Sequence, residues 1–442
     1  MFRATLATFV AALISSLTLG AKPNIIVIMA DDMGFECMSA NGWTEYKTPH
    51  LDNLAAGGIR FTHAHSQPIC TPSRVQLMTG IYNNRNYLKF GLLDPAATTF
   101  GHLLKKAGYA TCIAGKWQLQ GGLEGPTNFG FDEYCLWQVT RRPSRYPNPG
   151  LEVNGELKDY TNGEYGPDIV SDYICDFMER KKDDAFFVYY PMILPHWPFE
   201  PTPDSPDYDP KAKGSDGQKN PHYFKDMVAY TDKIVGKIVA KLDALGLRDD
   251  TLVLFTGDNG TATSVTTKFE GKPYPGGKGS PKDNGTHVPM VASWPGNAPA
   301  GKVSDALVDL SDWLPTVCEI AGAKVPDKLG MRGKSFAPLL RGQTFVAREQ
   351  IYCWYERNGK RAKASQHTRD HQYKLYSDGR FYDVGNDFKE QRPMDTEFLP
   401  EKAGATYKKL KEALDFEMAL TRNADIQVAK RLAELKTAKK KK

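Results

Sequence analysis

The sequence lacks the long apolar runs, paired cysteines and basic stripes that mark several common classes of protein. After Ala21, no segment reaches the roughly 18 consecutive apolar residues that a membrane-spanning helix needs. The 442 residues include only seven cysteines, widely scattered and without a Cys-x-x-Cys pair. Neither a cysteine zinc site nor a dense disulfide scaffold is therefore indicated. Because no arginine-rich stripe is present either, we expect no stable membrane anchor and no nucleic-acid partner.

The positive net charge belongs to a short C-terminal tail. The chain carries a formal charge of +5, and Lys436 together with Lys439–Lys442 supplies as many positive charges. The rest of the chain is therefore nearly neutral, which argues against a basic body built for nucleic acid. We expect residues 437–442 to form a solvated basic tail.

Residues 1–21 have the composition of a secretory signal peptide. Arg3 supplies the charge of the n-region, and Leu6–Leu19 is a short apolar run that Lys22-Pro23 ends. The sequence therefore predicts export, to the periplasm or as a secreted protein, and thus an oxidising compartment. An odd number of cysteines leaves at least one of them outside any intramolecular disulfide.

After this segment, strand-like and helix-like stretches alternate. Such alternation predicts an α/β fold with a large mixed, mostly parallel sheet sandwiched by helices. From about residue 345 the pattern changes to that of a smaller C-terminal α+β subdomain around a short antiparallel sheet. The predicted units are an N-terminal α/β domain at 22–345 and the C-terminal subdomain at 346–436. Predicted strands are Asn24–Met29, Ile59–His65, Tyr109–Ala114, Phe186–Tyr190, Leu252–Thr256, Val288–Trp294, Ile351–Glu356 and Gln372–Tyr376. Predicted helices include 50–57, 71–80, Ile169–Arg180, Tyr223–Leu245 and roughly 402–420, with helical character continuing towards the tail.

Two of the predicted buried strands end in acidic pairs. Asp31-Asp32 follows the first strand, and Asp258-Asn259 follows Leu252–Thr256. In open α/β sheets, ligands bind just beyond the carboxyl ends of the strands. Carboxylate and amide oxygens suit Ca²⁺ or Mg²⁺. Because Asp and Asn also end strands for purely structural reasons, each pair alone leaves both interpretations open.

Cys70-Thr71-Pro72-Ser73-Arg74 lies between a predicted strand and a predicted helix. Pro72 fits the first helical turn, where the missing N–H does no harm. Cys70 would lie beside the helix N-terminus, where backbone amides favour an anion. From these residues alone, Cys70 is either a reactive thiolate or a buried structural cysteine.

These residues resemble the C-x-P-S-R signature of the type I sulfatases, a family of the alkaline phosphatase superfamily. The resemblance extends along the chain in the family's order. Besides the signature, it rests on Asn24–Gly34, Thr48-Pro49-His50-Leu51-Asp52, Phe61-Thr62, Gly115-Lys116-Trp117, Pro195-His196-Trp197-Pro198, Gly257-Asp258-Asn259-Gly260 and Gly277-Lys278-Gly279-Ser280.

The resemblance implies an exported sulfatase whose Cys70 is oxidised to formylglycine by a formylglycine-generating enzyme. It implies that formylglycine at Cys70 is the nucleophile and that His196 protonates the leaving alcohol. It further implies that the positive charges beside the sulfuryl group come from Arg74, Lys116 and Lys278. The implied ligands of a Ca²⁺ ion, with Mg²⁺ as the alternative, are Asp31, Asp32, Asp258, Asn259 and the oxygen of the modified Cys70.

The expected substrate is a sulfate ester, with a sulfated carbohydrate as our first expectation. A phosphonate or phosphate ester hydrolase of the same superfamily is an alternative reading. A third is a sulfatase homologue that binds sulfated glycans without turnover.

Two positions depart from the family pattern. Gln118 replaces the usual histidine after Gly-Lys-Trp, and an amide cannot take a proton at neutral pH. His287 occupies the arginine position of the family's E-G-G-x-R-V-P segment. We hypothesise that His287 or a metal-ligand aspartate partly replaces the missing base. Alternatively, Gln118 marks a subfamily whose pocket is built differently.

Some loop residues remain open to two interpretations. Trp197, like Trp117 and Tyr274, could stack on a sugar ring or serve in packing. Three arginines, Arg141, Arg142 and Arg145, could contact a polyanionic substrate, but a solvated loop is the preferred interpretation.

Overall fold

The computed structural model describes residues 22–212, 221–269 and 271–440. The predicted signal peptide and the last two residues of the predicted tail lie outside the described residues.

The described residues form one large sheet, one small antiparallel sheet and one hairpin. The strands of the large sheet and the hairpin are β1 (Asn24–Ala30), β2 (Ile59–His65), β3 (Ala110–Lys116), β4 (Glu133–Trp137), β5 (Gly150–Val153), β6 (Glu156–Asp159), β7 (Phe186–Pro191), β8 (Thr251–Gly257), β9 (Thr266–Phe269), β10 (Lys272–Pro275), β11 (His287–Ser293) and β12 (Lys302–Asp309). The strands of the small sheet are β13 (Ile351–Tyr355), β14 (Ser365–Arg369), β15 (Tyr373–Tyr376) and β16 (Phe381–Asp383).

The large sheet is mixed, with a parallel centre. Its ten strands run in the order β12-β2-β11-β8-β1-β7-β3-β4-β5-β6. The block from β8 to β4 is parallel throughout, and β11, β5 and β6 add antiparallel pairings. The predicted mixed, mostly parallel sheet is thus confirmed.

Helices cover both faces of this sheet. They are α1 (Pro49–Ala56), α2 (Cys70–Thr79), α3 (Asn83–Asn86), α4 (Phe100–Lys106), α5 (Gly125–Asn128), α6 (Gly166–Arg180), α7 (Phe224–Ala244), α8 (Asp283–Thr286), α9 (Trp313–Ala321), α10 (Ala337–Leu340) and α11 (Glu401–Lys440). Short 3₁₀ turns lie at Phe35–Cys37, Ser39–Asn41, Pro221–Tyr223, Leu310–Asp312, Asp327–Leu329 and Arg361–Lys363.

The central strand β1 shows why the sheet is a sandwich. Its residues are buried throughout, as the unbroken apolar run predicted. Ile25 and Val27 belong to one core, which α2, α4 and α9 cover, whereas Ile26 and Ile28 belong to the other, which α1, α6 and α7 cover. Each such side chain contributes roughly 1.5–3 kcal/mol by burial.

The strand register places the predicted site residues together at the carboxyl ends of the central strands. Met29 pairs with Thr256 and Ala30 with Gly257, so the residues that follow β1 and β8 are neighbours. The carboxyl end of β3, with Lys116, lies two strands from β1 in the same direction. The parallel strands at the centre of the sheet therefore bring the predicted site residues close together.

The C-terminal part packs the small antiparallel sheet against a long helix. Strands β13 to β16 pair in chain order, as expected for the predicted subdomain. Helix α11 is longer than the predicted 402–420 and includes residues 437–440 of the predicted tail. It packs on α3, β14 and β15.

All seven cysteines are free thiols in the structure. None of the helices in the described ranges is long and apolar enough to cross a membrane.

Candidate active site

The two acidic pairs meet at the carboxyl ends of β1 and β8. The backbone N–H of Asp32 donates to Oδ1 of Asp258 at 3.0 Å, and Nδ2 of Asn259 donates to Oδ1 of Asp32 at 2.8 Å. Asp32 adopts φ 67°, a left-handed conformation that aspartate tolerates better than most residues. Asp31, Asp32, Asp258 and Asn259 are all fully buried. The structure thus brings the four predicted metal ligands together.

Two oxygens of this cluster have no hydrogen-bond partner among the described residues. They are Oδ1 of Asp31 and Oδ1 of Asn259, both buried. A buried acceptor left unsatisfied costs about 1–3 kcal/mol, so a cation contacting these oxygens would stabilise the fold. The donor set of three carboxylates and an amide oxygen fits a hard divalent ion such as Ca²⁺ or Mg²⁺.

Cys70 lies beside this oxygen cluster, at the first residue of α2. One ligand atom each of Cys70, Asp31 and Asp258 lies within 4.8 Å of the others. Helix α2 is buried along its whole length, and the Ser73 hydroxyl donates to the carbonyl of Gln67 at 3.1 Å, which fixes the loop before the helix. Cys70 therefore occupies a rigid position at a helix N-terminus, where an anion is favoured.

Three cations surround the carboxylates. Nζ of Lys116 lies 2.5 Å from Oδ2 of Asp31, and Nζ of Lys278 lies 2.6 Å from Oδ2 of Asp32. Arg74 donates to Oδ2 of Asp258 at 3.3 Å and to the carbonyl of Lys116 at 3.0 Å. Each of these buried ion pairs restrains its two side chains. Removing either partner would leave the other charge buried without a counter-charge, which is strongly destabilising.

Burial and the neighbouring positive charges have opposite effects on the pKa values of the carboxyl groups. Burial raises the pKa of Asp31, but the positive charges of Lys116, Arg74 and Lys278 outweigh it and hold that pKa well below its usual range. For Asp258, burial and the nearby Asp31 raise the pKa well above its usual range. A divalent cation among these groups would favour their ionised forms.

His196 lies in the turn after β7 and points at the same cluster. Its Nε2 is 3.7 Å from Oδ2 of Asp32. Its Nδ1 is 2.5 Å from the carbonyl oxygen of Trp197 and 3.1 Å from Nη1 of Arg145. Burial, followed by the charge of Lys278, holds the pKa of His196 well below its usual value, so the ring is neutral. When Nδ1 accepts from Arg145, Nε2 carries the proton and can donate it.

Cys70, Lys116, His196 and Lys278 line a cavity of about 600 Å³, whereas Arg74 and the four oxygen ligands are not part of its lining. Arg142 and Arg145 both line this cavity. Arg142 is exposed in a segment without regular structure, in agreement with the solvated-loop interpretation, whereas Arg145 is partly buried. The guanidinium of Arg145 stacks 3.8 Å from the ring centre of Trp137. Arg141 instead pairs with Asp159 at the surface, at 2.7 Å. The lining also includes Phe90, Gln118, Gln138, Trp197, Thr263, Ser264, Tyr355 and Arg357.

Comparison with known proteins decides the family. A model of the family described as Sulfatase matches residues 23–323, more than half of the chain. The chain belongs to the sulfatase family. A second model, described as N-sulphoglucosamine sulphohydrolase, C-terminal, matches residues 281–424 of this sulfatase. The chain is therefore a sulfuric ester hydrolase, as the signature at Cys70 predicted.

This sulfatase resembles curated enzymes and solved structures over most of its length. Arylsulfatase A of Homo sapiens is 30% identical over 379 residues, covering 78% of this chain and 72% of that protein. N-acetylgalactosamine-6-O-sulfatase of Bacteroides thetaiotaomicron is 28% identical over 412 residues, covering 75% and 78%. Ps i-CgsB in complex with k-i-k-neocarrahexaose has a TM-score of 0.74 at 27% identity, covering 90% and 92%.

A further neighbour supports the fold alone. The phosphonate monoester hydrolase of Agrobacterium radiobacter has a TM-score of 0.63 at 18% identity, covering 91% of this sulfatase and 95% of that chain.

Gln118 occupies the cavity wall of this sulfatase. It adopts φ 60°, and its Oε1 is buried without a hydrogen-bond partner among the described residues. The cavity thus contains an amide acceptor, as the sequence indicated, and Trp197 lies beside it in the lining. Trp117 and Tyr274 are not part of the lining: Trp117 is buried in the core and Tyr274 stacks on Phe388.

His287 is not brought into the cavity. It opens β11, and its Nε2 is 2.9 Å from the carbonyl oxygen of Thr62. Its Nδ1 lies 3.4 Å from Asp283, and its ring stacks on Phe35 with 4.0 Å between ring centres. Strand pairing with β2 sets this placement. The hypothesis that His287 replaces the missing base or binds substrate has no support from this geometry.

Sequence reasoning did not identify Tyr355 and Arg357, which reach the cavity from the C-terminal subdomain. Arg357 packs over Phe90 with 5.1 Å to the ring centre. No local motif marks these residues, because only the tertiary packing of β13 against the cavity brings them there.

Proposed function

We propose that this sulfatase is exported and hydrolyses a sulfate ester on a polyanionic carbohydrate. In this proposal Cys70 is converted to formylglycine by a formylglycine-generating enzyme, and a Ca²⁺ ion, or Mg²⁺ in its place, is held beside it. The observation that carries the proposal is the buried cluster that combines Cys70 with four oxygen ligands and three cations.

The ligands of the metal would be Asp31, Asp32, Asp258 and Asn259, together with the modified Cys70. Two of these side chains present buried oxygens without partners, which supports the assignment. When present, the ion supplies positive charge to the sulfuryl oxygens and formylglycine supplies the hydroxyl that attacks sulfur.

Arg74, Lys116 and Lys278 stabilise the negative charge that develops on the sulfuryl oxygens. All three are held by buried carboxylates and need no reorganisation during the reaction, and Lys116 and Lys278 line the cavity. Loss of one such preorganised group lowers kcat by about 10²–10³ in comparable enzymes.

His196 donates the proton to the oxygen of the leaving alcohol. The carbonyl of Trp197 needs Nδ1 as a donor and Arg145 needs it as an acceptor, so the two contacts belong to different tautomers. In the tautomer bonded to Arg145, the neutral ring holds the proton on Nε2, on the side of Asp32. Arg145 is held in place by its stacking on Trp137. We therefore infer that Arg145 positions the imidazole and sets the nitrogen that carries the proton.

Gln118 positions a hydroxyl in the cavity through its Oε1 but does not take its proton. Because His287 lies outside the cavity, the remaining explanations of this departure are a metal-ligand aspartate that acts as the base and a pocket that is built differently.

The charge of the cavity supports a substrate with more than one anionic group. Beyond Lys116 and Lys278, three arginines (Arg142, Arg145 and Arg357) line it, and its lining contains no carboxylate. Arg142 and Arg357 form no ion pair within the described parts of the chain. Trp197 offers a ring face for a sugar. Relatives include an N-acetylgalactosamine-6-O-sulfatase and a structure holding k-i-k-neocarrahexaose.

A screen of sulfated oligosaccharides tests this function, using protein produced in its native host. Inorganic sulfate released from at least one acidic glycan supports the proposal, as long as a Cys70→Ala variant is inactive and a Cys175→Ala variant is not. Cys175 is a suitable control because it lies on α6, outside the cavity lining.

The phosphonate hydrolase alternative shares the fold. Parallel assays with an aryl sulfate and an aryl phosphonate distinguish a sulfatase from a phosphonate hydrolase. Faster cleavage of the phosphonate would contradict the proposal. Binding of sulfated glycans without any sulfate release would indicate the non-catalytic alternative instead.

A further inference from the structure

Three histidines form a second group of metal-binding side chains outside the cavity. They are His63, His65 and His287, which we call the histidine cluster. A ring nitrogen of each lies within 4.8 Å of one in each of the others. None of the three lines the catalytic cavity, and none has a role in the function proposed above.

The strands explain why these side chains converge. His63 and His65 are two residues apart on β2, so both point to the same face of the sheet. His65 is the register partner of His287 on the neighbouring strand β11. The ring centres of His65 and His287 are 5.0 Å apart, and those of His63 and His287 are 6.0 Å apart. The cluster is thus built on two rigid strands.

His65 lacks hydrogen-bond partners although it is only 2% exposed. Both of its ring nitrogens are buried and unpartnered within the described residues, as is Nδ1 of His63. Buried polar groups in folded proteins almost always have a partner, so these nitrogens indicate a ligand. Burial lowers the pKa of His63 to about 4 and holds that of His65 well below its usual value. Both rings are therefore neutral, the form that binds metals.

His287 has the hydrogen bonding of a metal-bound histidine. Its Nε2 lies 2.9 Å from the carbonyl oxygen of Thr62, to which the ring N–H can donate. Its Nδ1 faces the Asp283 carboxylate at 3.4 Å, a contact that suits an Nδ1–H donating to Asp283 when no ion is bound. With a metal ion between them, Nδ1 would lose this proton and both atoms would have a partner. In metal sites, a ligating imidazole typically donates its other N–H to a backbone carbonyl or carboxylate. Asp283 in turn is held by an ion pair with Arg369.

We propose that the histidine cluster binds a divalent transition-metal ion, with Zn²⁺ as the best match to three imidazole ligands. The ion would cross-link β2 to β11 five residues before Cys70 and so stiffen the strand that leads into the catalytic loop. Zinc–nitrogen bonds of about 2.0–2.1 Å place the ligand nitrogens within about 4 Å of one another, so the three side chains would have to adjust when the ion binds. This site is distinct from the oxygen-rich calcium site, and the proposal does not rest on catalysis.

Metal analysis of the full-length protein tests the proposal. The protein is stripped with a chelator, reloaded with excess Ca²⁺ to fill the oxygen site, titrated with Zn²⁺ and desalted. We expect one retained zinc per chain and, with Co²⁺ as a probe, a visible absorption spectrum typical of nitrogen ligands in a tetrahedral site. We also expect zinc to raise Tm.

Two variants test the ligands without relying on His65, whose replacement could prevent folding. His287→Arg restores the residue that the family pattern has at this position, and His63→Asn changes a partly exposed side chain. Each should weaken zinc binding at least about tenfold and abolish the zinc-dependent rise in Tm. The matched control is His50→Asn: His50 is exposed on α1 and belongs to none of the groups of potential metal ligands found among the described residues, so zinc binding should not change.

Two results would overturn the proposal. One is wild-type protein that retains no zinc after desalting. The other is zinc retained equally by the folded His287→Arg and His63→Asn variants, which would place the ion elsewhere.

Discussion

Replacing Lys116 with methionine tests the buried charge cluster most sharply. Nζ of Lys116 lies 2.5 Å from Asp31 in a pair whose side chains are 1% and 0% exposed. The variant keeps the apolar stem but leaves Asp31 short of a partner. Breaking a buried pair destabilises a protein by about 3–5 kcal/mol. Loss of one preorganised cation should also lower kcat by about 10²–10³.

Lys105→Met is the matched control. Lys105 pairs with Asp132 at 2.6 Å, a similar distance, but these side chains are 52% and 37% exposed. An exposed pair contributes only about 0–1 kcal/mol, and Lys105 lies far from the chemistry on α4. Urea unfolding gives the stability of both variants, and aryl sulfate hydrolysis at saturating Ca²⁺ gives kcat. If Lys116→Met matched Lys105→Met in both measurements, the assigned role of Lys116 would be refuted.

The site and the fold support four further predictions. His196→Gln should lower turnover of a sulfated sugar by about 10²–10⁴ but that of an activated aryl sulfate far less, because only the poor leaving group needs a proton. Gln118→His should speed sulfate release in single-turnover kinetics, and unchanged release would show that no base is missing. Arg142→Met should raise KM for a polyanionic substrate and weaken its salt dependence, whereas the surface variant Arg141→Met should not. For zinc-free protein, stability should fall as pH drops from about 6.5 towards 4, since the unfolded chain then binds a proton that folded His63, with its pKa of about 4, does not; a His63→Asn variant should lose part of this slope in urea titrations.

Local patterns were sufficient to predict the centre of the fold and the floor of the site. The apolar run of β1 predicted a strand buried on both faces, and the structure buries every residue of Asn24–Ala30. Because β1 and β8 are parallel neighbours, their acidic ends had to meet, and the pairs Asp31-Asp32 and Asp258-Asn259 do. Both signals, an unbroken apolar run and acidic residues at the strand ends, can be read from short stretches of sequence.

The walls of the cavity could not be predicted in this way. Arg145 lies in a segment without regular structure, and its position depends on stacking against Trp137. Arg357 follows a strand of the other sheet and reaches the cavity only through tertiary packing. The placement of His287 depends on the register between β11 and β2, which the sequence of β11 alone does not reveal.

Helix α9 of the structure was not predicted from the sequence pattern. The sequence pattern leaves Trp313–Ala321 unassigned, yet this segment forms α9 with Pro315 in its first turn, where the missing N–H is harmless. Helix α11 continues past Leu420, in agreement with the helical character predicted towards the tail, and contacts such as Arg431 with Asp94, at 2.8 Å, hold its later turns to the body.

Mass spectrometry of the peptide that contains Cys70, from protein made in its native host, tests the central claim most directly. We predict that residue 70 has the mass of formylglycine and that the fraction converted matches the fraction of active sites found by sulfate-release titration. An unmodified thiol at residue 70 in protein that releases sulfate at its full rate would contradict the account.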